Sequence, residues 1–102
     1  MNKITFTNWQ DLPMQEIFSG ISVCELWSNQ AGSKAVMVEI EPGGKWPGFE
    51  VHETSSEEVF VVRGTLNDGD RDYPAGTFIH HPIGSKHIPQ SAIGCLLFVF
   101  YP

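Results

Sequence analysis

The chain predicts an all-β domain, a sandwich or a barrel with little or no helix. Apolar residues alternate or run in short blocks, and ten Gly and seven Pro in 102 residues divide those blocks with turns. Helix signals are confined to one turn near Trp9–Met14, which Pro13 cuts short. A chain of this length buries one core and has no room for a second, so residues 1–102 are read as a single domain.

In chain order, the expected strands are Ile4–Thr7, Glu16–Ser19, Val23–Ser28, Ala35–Glu41 and Gly48–His52 in the first half. Glu57–Arg63, Gly64–Asp68, Gly76–His80, Lys86–Pro89 and Cys95–Tyr101 follow in the second. Asn67-Asp68-Gly69-Asp70 is a tight-turn signal, because Gly accepts positive φ and Asn and Asp nearly so. Pro74-Ala75-Gly76 marks another reversal. Apolar segments near both ends, Ile4–Thr7 and Cys95–Tyr101, would leave sheet edges to be covered, which predicts a homodimer.

Composition removes several function classes. The net charge is −6, and the six basic residues are scattered from Lys3 to Lys86, so no phosphate-binding patch forms and nucleic acid is not an expected partner. The longest apolar run, Cys95–Tyr101, is far too short to span a bilayer, and no membrane role is expected. The opening residues have no apolar leader pattern, which predicts a cytoplasmic protein with Cys24 and Cys95 as free thiols in the core. Gly43-Gly44-Lys45 does not complete a phosphate loop. His52-Glu53 does not continue into a helix-borne zinc protease motif either. Asp68, Asp70 and Asp72 read as a solvated hairpin, not a calcium loop.

The chemistry concentrates between Gly44 and Ser91. All four histidines lie there, at 52, 80, 81 and 87, together with Glu50, Glu53, Glu57 and Glu58. Glu50 and His52 are two apart and so share one strand face. The polar turn Thr54-Ser55-Ser56 allows the strand opening at Glu57 to return beside His52. His87 arrives from a third segment, after Pro82-Ile83-Gly84. Two imidazoles with one or two carboxylates form a first shell for a divalent ion such as Fe, Mn, Ni or Zn. His80 and His81 are neighbours, so at most one of them faces this site, as a pocket acid/base or a substitute ligand. Trp46 and Phe49 precede the first ligands and are candidates for the cavity mouth.

The spacing resembles the cupin family. Gly44-x5-Glu50-Val51-His52-x4-Glu57-x6-Gly64 follows the first cupin motif, except that Glu50 stands where that motif has a histidine. Gly76-x5-Pro82-x-Gly84-x2-His87-x3-Ser91 follows the second, with Ser91 in place of its closing Asn. The wording around both motifs resembles the cupin domain of ChrR-type anti-sigma factors and small cupins similar to acetylacetone-cleaving dioxygenases. The resemblance implies a double-stranded β-helix, the cupin jelly-roll barrel, with one divalent metal held by His52, Glu57 and His87. Glu50 then ligates through oxygen, or stands behind a water, or marks a site that has lost its metal. The implied activities are dioxygenase chemistry on a small dicarbonyl or enolic acid, with Glu50 and His80 as acid/base candidates, or zinc or ligand sensing without turnover. A small molecule is the expected partner. Sigma-factor binding is not expected, since the anti-sigma helical domain has no counterpart in this sequence.

Overall fold

The computed structural model describes residues 2–102. It is a β-barrel of nine strands with one turn of 3-10 helix at Trp9–Asp11. The strands are β1 Gln15–Phe18, β2 Ile21–Ser28, β3 Lys34–Ile40, β4 Glu50–Val51 and β5 Glu57–Asn67, followed by β6 Asp72–Pro74, β7 Phe78–His81, β8 Lys86–His87 and β9 Cys95–Tyr101. Antiparallel pairing runs β1-β2-β3-β9-β5-β6, with β7 also on β5, while β4 and β8 form a separate two-stranded sheet that carries part of the site. Among the described residues, no helix is long and apolar enough to cross a membrane.

The interior core collects the inward-facing positions of these strands. Val36 and Ile40 on β3 face it with Val59 and Val61 on β5, Ile79 on β7, and Cys95, Leu97 and Val99 on β9. A second cluster lies outside the barrel, where Cys24, Met37 and Leu96 are covered by Trp9, Leu12 and Met14. The helical turn therefore works as a lid on the back of the sheet, and Asn8 caps it by accepting from the Gln10 amide. Cys24 and Cys95 are free and buried, one in each cluster. Burial pushes both thiols up, Cys95 to about 11, which keeps them protonated at neutral pH.

Three expectations about strands are corrected. Among the described residues Ile4–Thr7 pairs with no strand; Ile4 and Phe6 are 95% and 93% exposed, since alternation alone supplies no hydrogen-bonding neighbour. The two segments expected on either side of Gly64 are one strand, β5, which bends at an irregularity between Val61 and Arg63 instead of ending. Gly64 sits at φ +77° against Gly94, and a Cβ there would lie 2.0 Å from the Gly94 carbonyl oxygen. Only glycine allows that approach. Finally, the polar segment Asp72–Pro74 forms β6, because Asp68 closes the preceding turn by accepting from the amides of Asp70 and Arg71 and from the Tyr73 hydroxyl.

Candidate metal centre

Strand register produces a polar layer at one end of an apolar interior. On β5 the inward sequence is Val61, Val59, Glu57; on β7 it is Ile79, His81; on β9 it is Cys95, Leu97, Val99, Tyr101. Each strand is apolar inside the barrel and polar at the same end. Glu57 and His81 are directly opposed across β5 and β7, so their side chains leave the same face as neighbours. The β4–β8 sheet closes the opposite side, where Glu50 is paired with His87. His52 follows β4 and is fixed through its backbone: its amide donates to the Ser85 carbonyl, and its own carbonyl accepts from the Gly84 amide. The turn Pro82–Ser85 thus holds His52 in place, while β8 carries His87.

Four side chains converge as a result. His52, Glu57, His81 and His87 are all buried, and one ligand atom from each lies within 4.8 Å of the others. Oε1 of Glu57 is the hub, 3.3 Å from His52 Nε2, 3.4 Å from His81 Nδ1 and 3.4 Å from His87 Nε2. Glu50 borders the cluster, with Oε1 accepting from His87 Nε2 at 3.0 Å and lying 3.6 Å from His52 Nε2. The second oxygen of Glu57 accepts from the Tyr101 hydroxyl at 2.7 Å.

Of the residues expected from sequence, the structure brings together Glu50, His52, Glu57 and His87. It does not bring His80 to them. His80 lies on the outer face of β7, its side chain is 54% exposed, and it pairs with Glu58. The inward neighbour is His81, which parity allowed but which the acid/base assignment passed over in favour of His80. The register of β7 against β5 decides between them, and Phe78-Ile79, apolar on both faces, hides that register from an alternation test. Ser91, at the position where the cupin motif closes with Asn, is fully buried and donates its hydroxyl to the Thr65 carbonyl, tying β5 to the loop after β8.

The electrostatics suit a cation. Burial alone would raise the Glu57 carboxyl, but contacts with His87 and Tyr101 and the charges of His52 and His87 outweigh it and hold it below the usual range. For His87, burial works downward, but the carboxylates of Glu50 and Glu57 prevail and bring it up to about 9. His81 is lowered, first by burial and then by the neighbouring His87. Burial, reinforced by Glu57, pushes the Tyr101 phenol up, so it remains a donor. His52 Nε2, His81 Nδ1 and His87 Nδ1 are buried with no hydrogen-bond partner. For His52 Nε2 and His81 Nδ1, which face Glu57, a bound ion would remove the resulting desolvation cost; His87 turns Nε2, not its unpartnered Nδ1, to the cluster. The three imidazoles and one carboxylate could therefore hold one metal ion.

Two spaces adjoin the cluster. An inner one of about 30 Å³, between Glu50, Glu57 and His87 and the apolar wall, has room for a water or two and no organic ligand. An outer groove of about 230 Å³ is lined by Val36, Val38, Trp46, Glu50, Tyr101 and Lys34. That groove reaches the edge of the cluster at Glu50 and Tyr101. Trp46 borders both spaces, whereas Phe49 lies outside under Lys86, whose Nζ is 4.6 Å from its ring centre.

The family model of the ChrR cupin-like domain matches residues 2–101. The chain belongs to that family. Solved structures carry the same fold at low identity. One is the complex of Rhodobacter sphaeroides SigE with the anti-sigma ChrR, at 16% identity and a TM-score of 0.77, covering 93% of this chain and 51% of the matched one. This ChrR-type cupin thus spans about half the length of that relative. KdgF from a Halomonas species gives 20% identity and a TM-score of 0.78, covering 99% of this chain and 94% of the other. The polyketide cyclase RemF from Streptomyces resistomycificus gives 20% and 0.83, covering 98% and 80%. At these identities the likeness shows the fold alone. No curated protein matches by sequence.

Proposed function

We propose that this cupin binds one divalent metal ion through His52, Glu57 and His87, with a further donor from Glu50 or His81, and uses it to bind a small oxygen-rich molecule. The observation that supports this reading is the hub geometry: one carboxylate oxygen stands 3.3–3.4 Å from three buried imidazole nitrogens. A bound divalent ion would supply Lewis-acid polarisation of the ligand's oxygens and, if iron, a route to O2. The chain supplies the rest. Tyr101 fixes the rotamer of Glu57, and the groove wall of Val36, Val38 and Trp46 takes an apolar substituent. Glu50, at the edge of the groove, would accept a proton from an enolisable carbon. A β-dicarbonyl or enolic acid fits that combination, and the activity we favour is O2-dependent cleavage of a C–C bond.

Metal analysis of protein purified without chelator or a metal-binding tag tests the first part. One ion per chain in the wild type, lost in His52→Ala and His87→Ala, is expected. Protein that stays metal-free under excess Fe, Mn, Ni and Zn would end the proposal. The iron-loaded protein should then consume O2 with pentane-2,4-dione or a related dicarbonyl.

The match to the ChrR cupin-like family supports a second reading, zinc or ligand sensing without turnover. That reading predicts tight zinc binding, no O2 uptake with any dicarbonyl, and a partner on another chain.

A further inference from the structure

Donor atoms bonded to one ion at about 2.0–2.1 Å stand about 3.3–3.4 Å apart when they occupy the corners of a tetrahedron. Three edges of such a figure are present here. From Glu57 Oε1 they run 3.3 Å to His52 Nε2, 3.4 Å to His81 Nδ1 and 3.4 Å to His87 Nε2. His81 is only 8% exposed, and its Nδ1 has no hydrogen-bond partner. The β5–β7 register, not a chance rotamer, sets it beside Glu57. Its ring lies against that of His87, with centres 4.2 Å apart, and the His52 ring centre is 5.4 Å from that of His81 and 5.1 Å from that of His87.

Glu50 is placed differently. Its distances of 3.0 and 3.6 Å to His87 and His52 are unequal, its side chain is 19% exposed, and it borders both the inner space and the outer groove. It therefore stands between the buried cluster and the outer groove.

We infer that His81, through Nδ1, is the fourth metal ligand of this cupin, completing a set of three histidines and one glutamate, and that Glu50 is a proton acceptor at the open side instead of a ligand. The inference rests on the metal-binding reading above and deepens it. A histidine from β7 makes up the nitrogen donor that position 50 on β4 does not provide. With one carboxylate bound, a divalent ion keeps a net charge of +1 in its shell, which favours an anionic ligand such as an enolate. The free Glu50 carboxylate is then available to take the proton released when that enolate forms from its neutral parent.

Cobalt(II) loading tests the assignment, because its spectrum reports the donor atoms directly. Wild type, His81→Ala, His81→Cys and Glu50→Gln are compared by cobalt titration and absorption spectroscopy. The expected result is a loss of affinity of about 100-fold or more in His81→Ala, with Glu50→Gln holding one ion within about tenfold of wild type. His81→Cys should gain a sulfur-to-cobalt charge-transfer band that the wild type lacks. Wild-type affinity in His81→Ala, or cobalt-loaded His81→Cys without that band, overturns the inference, and loss of the ion in Glu50→Gln alone gives the ligand role to Glu50. X-ray absorption of the zinc-loaded wild type needs no variant: scattering from three imidazoles supports the assignment and from two refutes it. A wild type that binds neither metal removes the underlying function as well, a result distinct from all of these.

Discussion

The Tyr101 hydroxyl donates to Oε2 of Glu57 at 2.7 Å and so leaves Oε1 as the single oxygen presented to His52, His81 and His87. The bond fixes which face of the carboxylate looks into the cluster, and Tyr101 stays a donor because burial and the adjacent carboxylate keep its phenol protonated. Tyr101→Phe should retain the fold, lose about 1–3 kcal/mol of stability for the bond now unmade, and weaken metal binding about 10–100-fold. Urea denaturation and a metal-competition titration measure the two effects separately. Unchanged metal affinity would show that Glu57 needs no such support.

The cluster should also give the metal-free protein a stability optimum near the ordinary histidine pKa of about 6.5. His87 is raised to about 9 in the fold, so its contribution is complete below the unfolded value and disappears as pH rises through about 9. His81 is lowered, so protonating it costs stability as pH falls below its unfolded value. Glu57 is lowered too, and its contribution, present above the unfolded carboxylate value, is lost on further acidification through its folded value. Urea midpoints of chelator-treated protein between pH 4 and pH 10 should therefore fall on both sides. His87→Gln should flatten the curve between about pH 6.5 and pH 8.5 and leave a fall toward pH 10, to which the raised thiols of Cys24 and Cys95 contribute. A decline that persists in that lower window would place its origin elsewhere.

His80 provides the internal control. Its ring pairs with Glu58 on the outer face of β7, in an exposed setting where ion pairs contribute about 0–1 kcal/mol. His80→Ala should leave metal content and affinity at wild-type levels and shift stability by less than about 1 kcal/mol. A fall in metal content comparable to that of His52→Ala would contradict the assignment of faces on β7.

The contrast between His80 and His81 shows where sequence stops being informative. Spacing reached His52, Glu57 and His87 because motif distances are local, and alternation placed Cys95–Tyr101 at its observed bounds. The side facing inward on β7 depends on pairing with β5, about twenty residues away in sequence, and Phe78-Ile79 gives alternation no polar position to read. The same limit explains the ends of the chain and the hairpin. Ile4–Thr7 has a strand pattern and no partner, whereas Asp72–Pro74 has no apolar pattern and is a strand because its turn is well closed. Gly64 looked like a strand break because glycine commonly marks one. Here it lets β5 pass close to Gly94 on the loop before β9.

That close approach yields the last prediction. An alanine at position 64 would place its Cβ 2.0 Å from the Gly94 carbonyl oxygen and 2.8 Å from the Cys95 Cα, both backbone atoms that a rotamer change cannot move. It would also have to adopt φ +77°, which L side chains disfavour by about 1 kcal/mol or more. Overpacking typically adds about 1–3 kcal/mol, so Gly64→Ala should lose about 2–4 kcal/mol in urea denaturation. The strain falls at the start of β9, whose far end carries Tyr101. If β9 shifts to relieve it, Tyr101 loses its bond to Glu57, and metal affinity should fall as in Tyr101→Phe. If Gly64→Ala is destabilised but binds metal as wild type does, the two ends of β9 are mechanically independent, and the cluster is held by β5, β7 and the β4–β8 sheet alone.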